Sequence, residues 1–255
     1  MDILLTNDDG VYAPGLRALR EALKQLGNVT VAAPASEQSA VGHSIPLAHP
    51  LVVKDLTDDA GQPFGFAVEG KPADCVKLAV TQLLPRRPDL IVSGVNAGSN
   101  AGINVLYSGT VAAAIEGAFF GITAVAVSLA LPEERFMPRA AALGVKVLRQ
   151  ILDRAPRPGE LFNVNIPDLT AGDPLGVRVA EQGLAFYNEW YEARVDPRGR
   201  RYFWLRPDGL DAGAETASDL AALADRRISV TPLHFDLTDR RRLPAMQDWA
   251  WEPLE

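Results

Sequence analysis

Cysteine is nearly absent: Cys75 is the only one in 255 residues. That excludes an intrachain disulfide framework and a cysteine-rich zinc site. Three histidines are too few for a His-rich metal centre. Positive charge is in the minority, with 25 Lys and Arg against 32 Asp and Glu and a net charge of −7. A surface that grips a nucleic-acid duplex needs a basic excess, so nucleic acid is not an expected partner. Lysine is scarce, so an anionic substrate would be held by a metal ion and by backbone N–H groups more than by ammonium groups. The start of the chain reaches Asp8 too soon for a signal peptide. The longest apolar stretch, Val111 to Leu131, carries Glu116 and is broken by Gly117 and Gly121. It reads as a buried helix followed by a buried strand and not as a membrane span. The expectation is a cytoplasmic protein with no membrane partner. Three signatures are missing: the Gly-x-x-x-x-Gly-Lys-Ser/Thr loop, the Gly-x-Gly-x-x-Gly fingerprint and the Gly-x-Ser-x-Gly elbow. A P-loop NTPase, a standard dinucleotide enzyme and an α/β-hydrolase are thereby set aside.

What is present is an ordinary folding composition, 47% hydrophobic and 22% charged, with enough apolar surface to offset the ordering entropy of the chain. Asp2 to Thr6 is a short apolar run that reads as a buried strand. Pro14-Gly15 opens an amphipathic helix with Leu16, Leu19, Leu23 and Leu26 on one face, and Gly27 closes it. Val29 to Ala33 is a second strand, followed by a polar loop to Ser44 and a β-excursion over residues 45–70 with a turn at Asp58 to Gln62. A helix is expected from Pro72 to about Leu84, a strand over Asp89 to Ser93, and a glycine- and asparagine-rich loop over Gly94 to Ser108. Gly109 to Phe120 is a helix, Thr123 to Ser128 a strand, Pro138 to Arg154 a helix and Leu161 to Ile166 a strand. Such alternation predicts an α/β fold: a Rossmann-like three-layer α/β/α sandwich with a mainly parallel sheet. After residue 170 the pattern changes to mixed aromatic and charged residues, turning at Pro197-Arg198-Gly199, which reads as a C-terminal β-hairpin arm. A short helix near Ala217 to Ala224 and a strand over Ile228 to Leu233 follow. We read residues 1–255 as one domain, with its core at about 1–170 and 226–238 and a protruding arm at about 171–225.

Open parallel sheets bind ligands beyond the carboxyl ends of their strands, and three unusual loops leave the first core strands there. The first holds Asp8 and Asp9. Neighbouring side chains on a strand point to opposite faces, but Gly10 lets the chain turn, so both carboxylates could meet one divalent cation; the alternative is that one caps a helix and the other is solvated. The second holds Ser39, with His43 close by in the same loop. The third holds Asn96, whose amide oxygen suits a hard cation or whose side chain simply forms a turn. Tyr107-Ser108-Gly109-Thr110 then opens a helix, where free N–H groups attract anions, although Ser108 also has the chemistry of a plain N-cap. Cys75 reads as a small buried apolar residue.

Together these segments resemble the SurE family (survival protein E), metal-dependent phosphatases of nucleoside monophosphates. The resemblance is carried by Ile3 to Val11 (Ile-Leu-Leu-Thr-Asn-Asp-Asp-Gly-Val), Glu37 to His43, Gly70 to Val76, Ser93 to Gly102, Tyr107 to Gly117, and Thr231-Pro232-Leu233 followed by Asp236-Leu237-Thr238. Asn104 stands where the family often has Asp. The resemblance implies that Asp8, Asp9, Ser39 and Asn96 ligate one divalent ion per subunit, Mg²⁺ or Mn²⁺. It further implies that Asn7, Asn96, Ser108, Gly109 and Thr110 lie around the phosphate, and that Asp8 and Asp9 are catalytic. It also implies a homodimer or homotetramer built by exchange of the C-terminal arm. The expected activity is hydrolysis of nucleoside 5′- and 3′-monophosphates, with short polyphosphate as a further substrate. Two alternatives stand beside it: a haloacid-dehalogenase-like phosphatase working through an aspartyl-phosphate, and a non-catalytic nucleotide sensor.

Overall fold

Ile3, Leu4 and Leu5 form an uninterrupted apolar run, and a strand made of such a run must be covered on both faces. The computed structural model describes residues 1–58, 60–131, 133–184, 187–210 and 216–251, and the run sits at its centre. The elements in chain order are β1 (Asp2–Thr6), α1 (Pro14–Leu23), β2 (Asn28–Pro34), β3 (Val53–Thr57), β4 (Pro63–Val68), α2 (Pro72–Leu78), β5 (Leu90–Ala97), α3 (Gly109–Phe119) and β6 (Thr123–Leu129). They continue with α4 (Met137–Leu152), β7 (Leu161–Ile166), β8 (Val177–Val179), β9 (Tyr187–Val195), β10 (Arg201–Leu210), α5 (Asp219–Ala224), β11 (Ile228–Leu233) and α6 (Leu243–Gln247). A nine-stranded sheet has the order β3-β4-β2-β1-β5-β6-β7-β11-β8. Its centre, from β4 through β7, is parallel; β3 and β11 run antiparallel to their neighbours β4 and β7.

Alternation along the strands divides the core into two layers. Ile3, Leu5, Val92 and Val125 face α1 and α4, packing with Leu16, Leu19, Val145 and Leu148. Leu4, Ile91, Ala124 and Ala126 face the other way, toward Val76, Val111 and Ala114 on α2 and α3. The second layer is built from small residues, so its helix lies close: a Cβ on Gly117 of α3 would come within 2.7 Å of Ile91 Cδ1. Among the described residues no helix is long and apolar enough to cross a membrane. The stretch from Val111 to Leu131 is instead α3 and β6, as its interrupting glycines predict.

Several boundaries differ from the sequence reading. β5 does not stop at Ser93 but continues through Asn96 to Ala97, because Asn96 and Ala97 keep pairing with Ser128 and Leu129 of β6. The helix after Pro72 ends at Leu78 and is prolonged by a π-helical turn, Ala79–Leu83. The separate hairpin is also narrower than residues 171–225. Among the described residues only β9 and β10 form their own two-stranded sheet, whereas Val177–Val179 pairs with β11 in the main sheet and α5 packs on β11; residues 185–186 and 211–215 of the expected arm lie outside the described residues. The hairpin turn falls at Pro197-Arg198-Gly199, where Asp196 N–H donates to Arg200 O at 3.0 Å. β9 and β10 hold Trp190, Tyr191, Phe203 and Trp204 exposed.

Gly15 fixes how α1 meets the sheet. A Cβ there would lie 2.1 Å from the carbonyl oxygen of Val95, next to Asn96. Alanine favours a helix interior by up to ~1 kcal/mol over glycine, yet forcing a methyl into this contact should cost ~1–3 kcal/mol. Gly15→Ala is therefore expected to lower stability by urea denaturation; a net gain would show that α1 can lift off β5 without penalty.

Candidate active site

The carboxyl ends of β2, β1 and β5 lie side by side in the sheet, which brings their three loops to one edge. At the end of β1, Asn7 Nδ2 donates to Gly10 O at 2.9 Å and closes the turn, with Gly10 at φ +99°. Asn7 is fully buried, and among the described residues its Oδ1 has no hydrogen-bond partner. The turn sends Asp8 toward α3 and Asp9 toward β5. Asp8 is buried, and its Oδ1 accepts a short hydrogen bond from Thr110 Oγ1. Asp9 is half-buried, and its Oδ2 accepts the Ala97 N–H at 3.2 Å.

The approach of α3 to Asp8 depends on the absence of a side chain at its first residue. A Cβ on Gly109 would come within 2.8 Å of Asp8 Cβ and 2.9 Å of Asp8 Oδ2. Ser108 caps the helix, its Oγ accepting the Val111 N–H at 3.0 Å. The N-cap role therefore holds, and accepting this bond does not use the hydroxyl's own proton. Asn96 sits at the end of β5 beside Ala97, with its Nδ2 on Gly98 O at 2.7 Å. The remaining loop is tied in by its backbone, as Gln38 N–H donates to Asp8 O at 2.8 Å. Ser39 itself is exposed, and its Oγ donates to Glu37 Oε1 at 2.5 Å, so its side chain is engaged within its own loop. The residues singled out in sequence thus fall into one edge group, with Asp8, Asp9, Asn96, Gly109 and Thr110 at its centre and Ser39 at its rim. Asn7 shapes the turn beneath them.

Burial dominates the electrostatics. It pushes the Asp8 carboxyl up, while hydrogen bonds from Thr110 and the backbone of Gly109 pull the other way. Asp9 is raised to about 6, first by burial, then by the charge of Asp8 and more weakly by Glu37. Two carboxylates with raised pKa values at one strand end make a hard oxygen donor set. Such a set suits Mg²⁺ or Mn²⁺, since a divalent cation replaces the mutual repulsion with attraction. Among the described residues no group of three His, Cys, Asp or Glu side chains could hold a metal ion. A cation here would therefore rest on two carboxylates and neutral oxygens.

The residues that steady this edge were only partly visible in sequence. Glu116, buried on α3, lies 2.8 Å from His43 Nε2 and 3.2 Å from Lys77 Nζ. Burial alone would raise its pKa, but hydrogen bonds from His43 and Lys77 outweigh that and leave it lowered. Lys71 Nζ donates to Gln38 Oε1 at 2.7 Å. These two contacts pin the loop on either side of Ser39. A lone glutamate inside an apolar helix was the available signal, because a buried charge requires a partner; nothing local pointed to Lys71.

The sequence model of the family described as survival protein SurE matches residues 3–189. A curated relative from Rhodopirellula baltica, named 5′-nucleotidase SurE, is 50% identical over 99% of this chain and 100% of its own length. Another of the same name from Desulforudis audaxviator is 44% identical over 98% of this chain and 97% of its own. The crystal structure of the SurE protein from Aquifex aeolicus superposes with a TM-score of 0.84 at 37% identity, covering 97% of this chain and 98% of that one.

The raised pKa of Asp9 has a consequence for the metal-free protein. A group raised from 3.8 to about 6 contributes stability that is fully present below pH 4 and lost as pH rises through 6. In EDTA, Asp9→Asn should therefore raise the melting temperature well above pH 6, and the gain should vanish toward pH 4. An offset that stays constant across this range would refute the assignment of the buried charge to Asp9.

Proposed function

The chain belongs to the SurE family, and from that membership we propose that it is a divalent-metal-dependent phosphatase. Its substrates are nucleoside 5′-monophosphates, with 3′-monophosphates and short polyphosphate within its range. The observation that carries this reading is Asp8 packed against the N-terminus of α3 at Gly109, with Asp9 beside it at the end of β5. Relatives of nearly the same length bear the name 5′-nucleotidase, which supports the substrate class. Asp8, Asp9 and Asn96, with Ser39 from the rim, are the residues that would hold the cation. When bound, a divalent cation supplies Lewis-acid polarisation of a phosphoryl oxygen and acidifies water.

The protein's own groups do the rest. Ser108, Gly109 and Thr110 surround the phosphoryl group: the Ser108 hydroxyl has a proton to donate, and the helix start favours negative charge. Asn7 holds the turn that aims both carboxylates. Asp8 or Asp9 orients or deprotonates the attacking water; of the two, Asp9 is more open to solvent. A haloacid-dehalogenase-like mechanism needs an Asp-x-Asp spacing, whereas here the two are adjacent. A non-catalytic sensor would have no use for a full set of oxygen donors. We place the reaction in the cytoplasm and the protein in a homodimer or homotetramer formed by exchange of the C-terminal arm. The exposed aromatic residues of β9 and β10 support that assembly.

The test is inorganic phosphate release from a panel of 5′- and 3′-nucleotides, sugar phosphates and tripolyphosphate, with Mn²⁺ or Mg²⁺ and with EDTA. Release from nucleotides should require metal and fall by at least about 100-fold in Asp9→Asn, and Asp8→Asn should weaken metal binding. Nucleotide binding with no release from any substrate would transfer the chain to the sensor class. For assembly, light scattering should give a multiple of the 27.4 kDa chain mass. Replacing Phe203 and Trp204 by serine should reduce that mass, and a monomeric wild type would rule out arm exchange.

A further inference from the structure

Asp219 is wholly buried at the start of α5, outside the site described above. A carboxylate so placed persists only if donors hold its charge. Here the donors are backbone N–H groups from three separate segments: Gly102 to Oδ2 at 3.0 Å, Gly183 to Oδ1 at 3.0 Å and Leu220 to Oδ1 at 2.8 Å. Gln182 Nε2 donates to Gly102 O at 3.0 Å, so both the N–H and the carbonyl of Gly102 are held from the roots of the hairpin. The roots are tied to each other as well, since Asp219 N–H donates to Glu181 O at 2.8 Å and Glu181 N–H to Ala217 O at 3.2 Å. Gly102 is at φ +60°, and a Cβ on it would lie 2.9 Å from Leu220 Cδ1.

The segment so held leads directly to the candidate phosphate site. A 3₁₀ turn runs from Gly102 to Leu106, and the N–H groups of Tyr107 and Ser108 both return to Asn104 O at 3.1 Å. Tyr107 O accepts the Gly42 N–H at 2.9 Å, which joins the turn to the loop carrying Ser39. On its other side Asn100 is locked to β6 and β7: its N–H donates to Asn165 Oδ1 at 2.8 Å and its Nδ2 to Ser128 Oγ at 2.9 Å.

We propose that Asp219 is a positioning residue. It clamps Gly102 to the two roots of the hairpin and so holds residues 98–108 in the conformation that presents Ser108, Gly109 and Thr110 to the phosphoryl group. The two segments that flank the hairpin in the chain thereby set the affinity for substrate. The kinetic consequence rests on the proposed function; the clamp on the loop does not.

Asp219→Asn keeps the shape but puts an amide, with one acceptor oxygen and two donor hydrogens, where three N–H groups converge. Three quantities would be measured: steady-state hydrolysis of AMP with Mn²⁺, Mn²⁺ affinity by calorimetry, and hydrogen exchange resolved by peptide. Loss of binding made alike in ground and transition states appears in KM. KM for AMP should therefore rise about tenfold with kcat within roughly twofold. Mn²⁺ affinity should be unchanged, and exchange should quicken in residues 98–108 and at the hairpin roots only. Unchanged KM with unchanged exchange would overturn the proposal, as would exchange that quickens uniformly across the core. Gln182→Ala, which removes only the bond to Gly102 O, should move KM and loop exchange in the same direction by less. If Asp219→Asn fails to fold, an unmoved Gln182→Ala overturns the proposal. If the wild type releases no phosphate from AMP, the proposed function fails, and local exchange in the two variants still decides the role of Asp219.

Discussion

Two carboxylates on consecutive residues repel, and burial strengthens the repulsion by removing the water that screens it. The end of β1 accepts this burden with Asp8 and Asp9, and much of the surrounding structure follows from it. Gly10 supplies the turn that stops them pointing to opposite faces. Gly109 supplies the space for the N-terminus of α3 to reach Asp8, where the helix dipole and the Thr110 hydroxyl partly offset the charge. Ala97 at the end of β5 supplies a backbone N–H to Asp9. What these donors leave uncompensated is seen in the raised pKa of Asp9, to which burial contributes most and the charge of Asp8 next.

The same logic recurs wherever a loop must be fixed above the sheet. Glu116, Asn100 and Asp219 are buried polar groups in otherwise apolar surroundings, and each is bonded to a segment leading to the active edge. A buried polar group is stabilising only when its partners are all in place, which makes it selective for one arrangement of the chain. The apolar layers hold the strands together without choosing a loop conformation. The buried polar contacts make that choice, and they do so from three directions: α3, the ends of β6 and β7, and the roots of the hairpin.

Much of this was legible in sequence. Continuous apolar strands alternating with amphipathic helices implied a parallel sheet covered on both faces, and the resulting edge located Asp8, Asp9, Asn96 and the start of α3 together. Other features were not legible, for physical reasons. β5 runs through Gly94 to Ala97 because β6 offers ladder partners there, while its own composition reads as loop. Val177–Val179 is too short and too exposed to read as a strand, and it becomes one by pairing with β11. The partners of Glu116 are separated from it by 73 residues in the case of His43, a distance no periodicity bridges.

By itself the sequence determined what is local: which runs had to be buried, where glycine had to turn the chain, and which oxygen-bearing side chains would stand at strand ends. These follow from side-chain polarity and backbone sterics, which act between neighbours along the chain. Tertiary structure alone decided which groups face one another. The closeness of Gly109 to Asp8, the pairing of His43 with Glu116 and the clamp of Asp219 on Gly102 each depend on segments far apart in the chain. Their distances are set by how helices and loops pack on the sheet, and a free energy shared among many contacts cannot be read from any one stretch of residues.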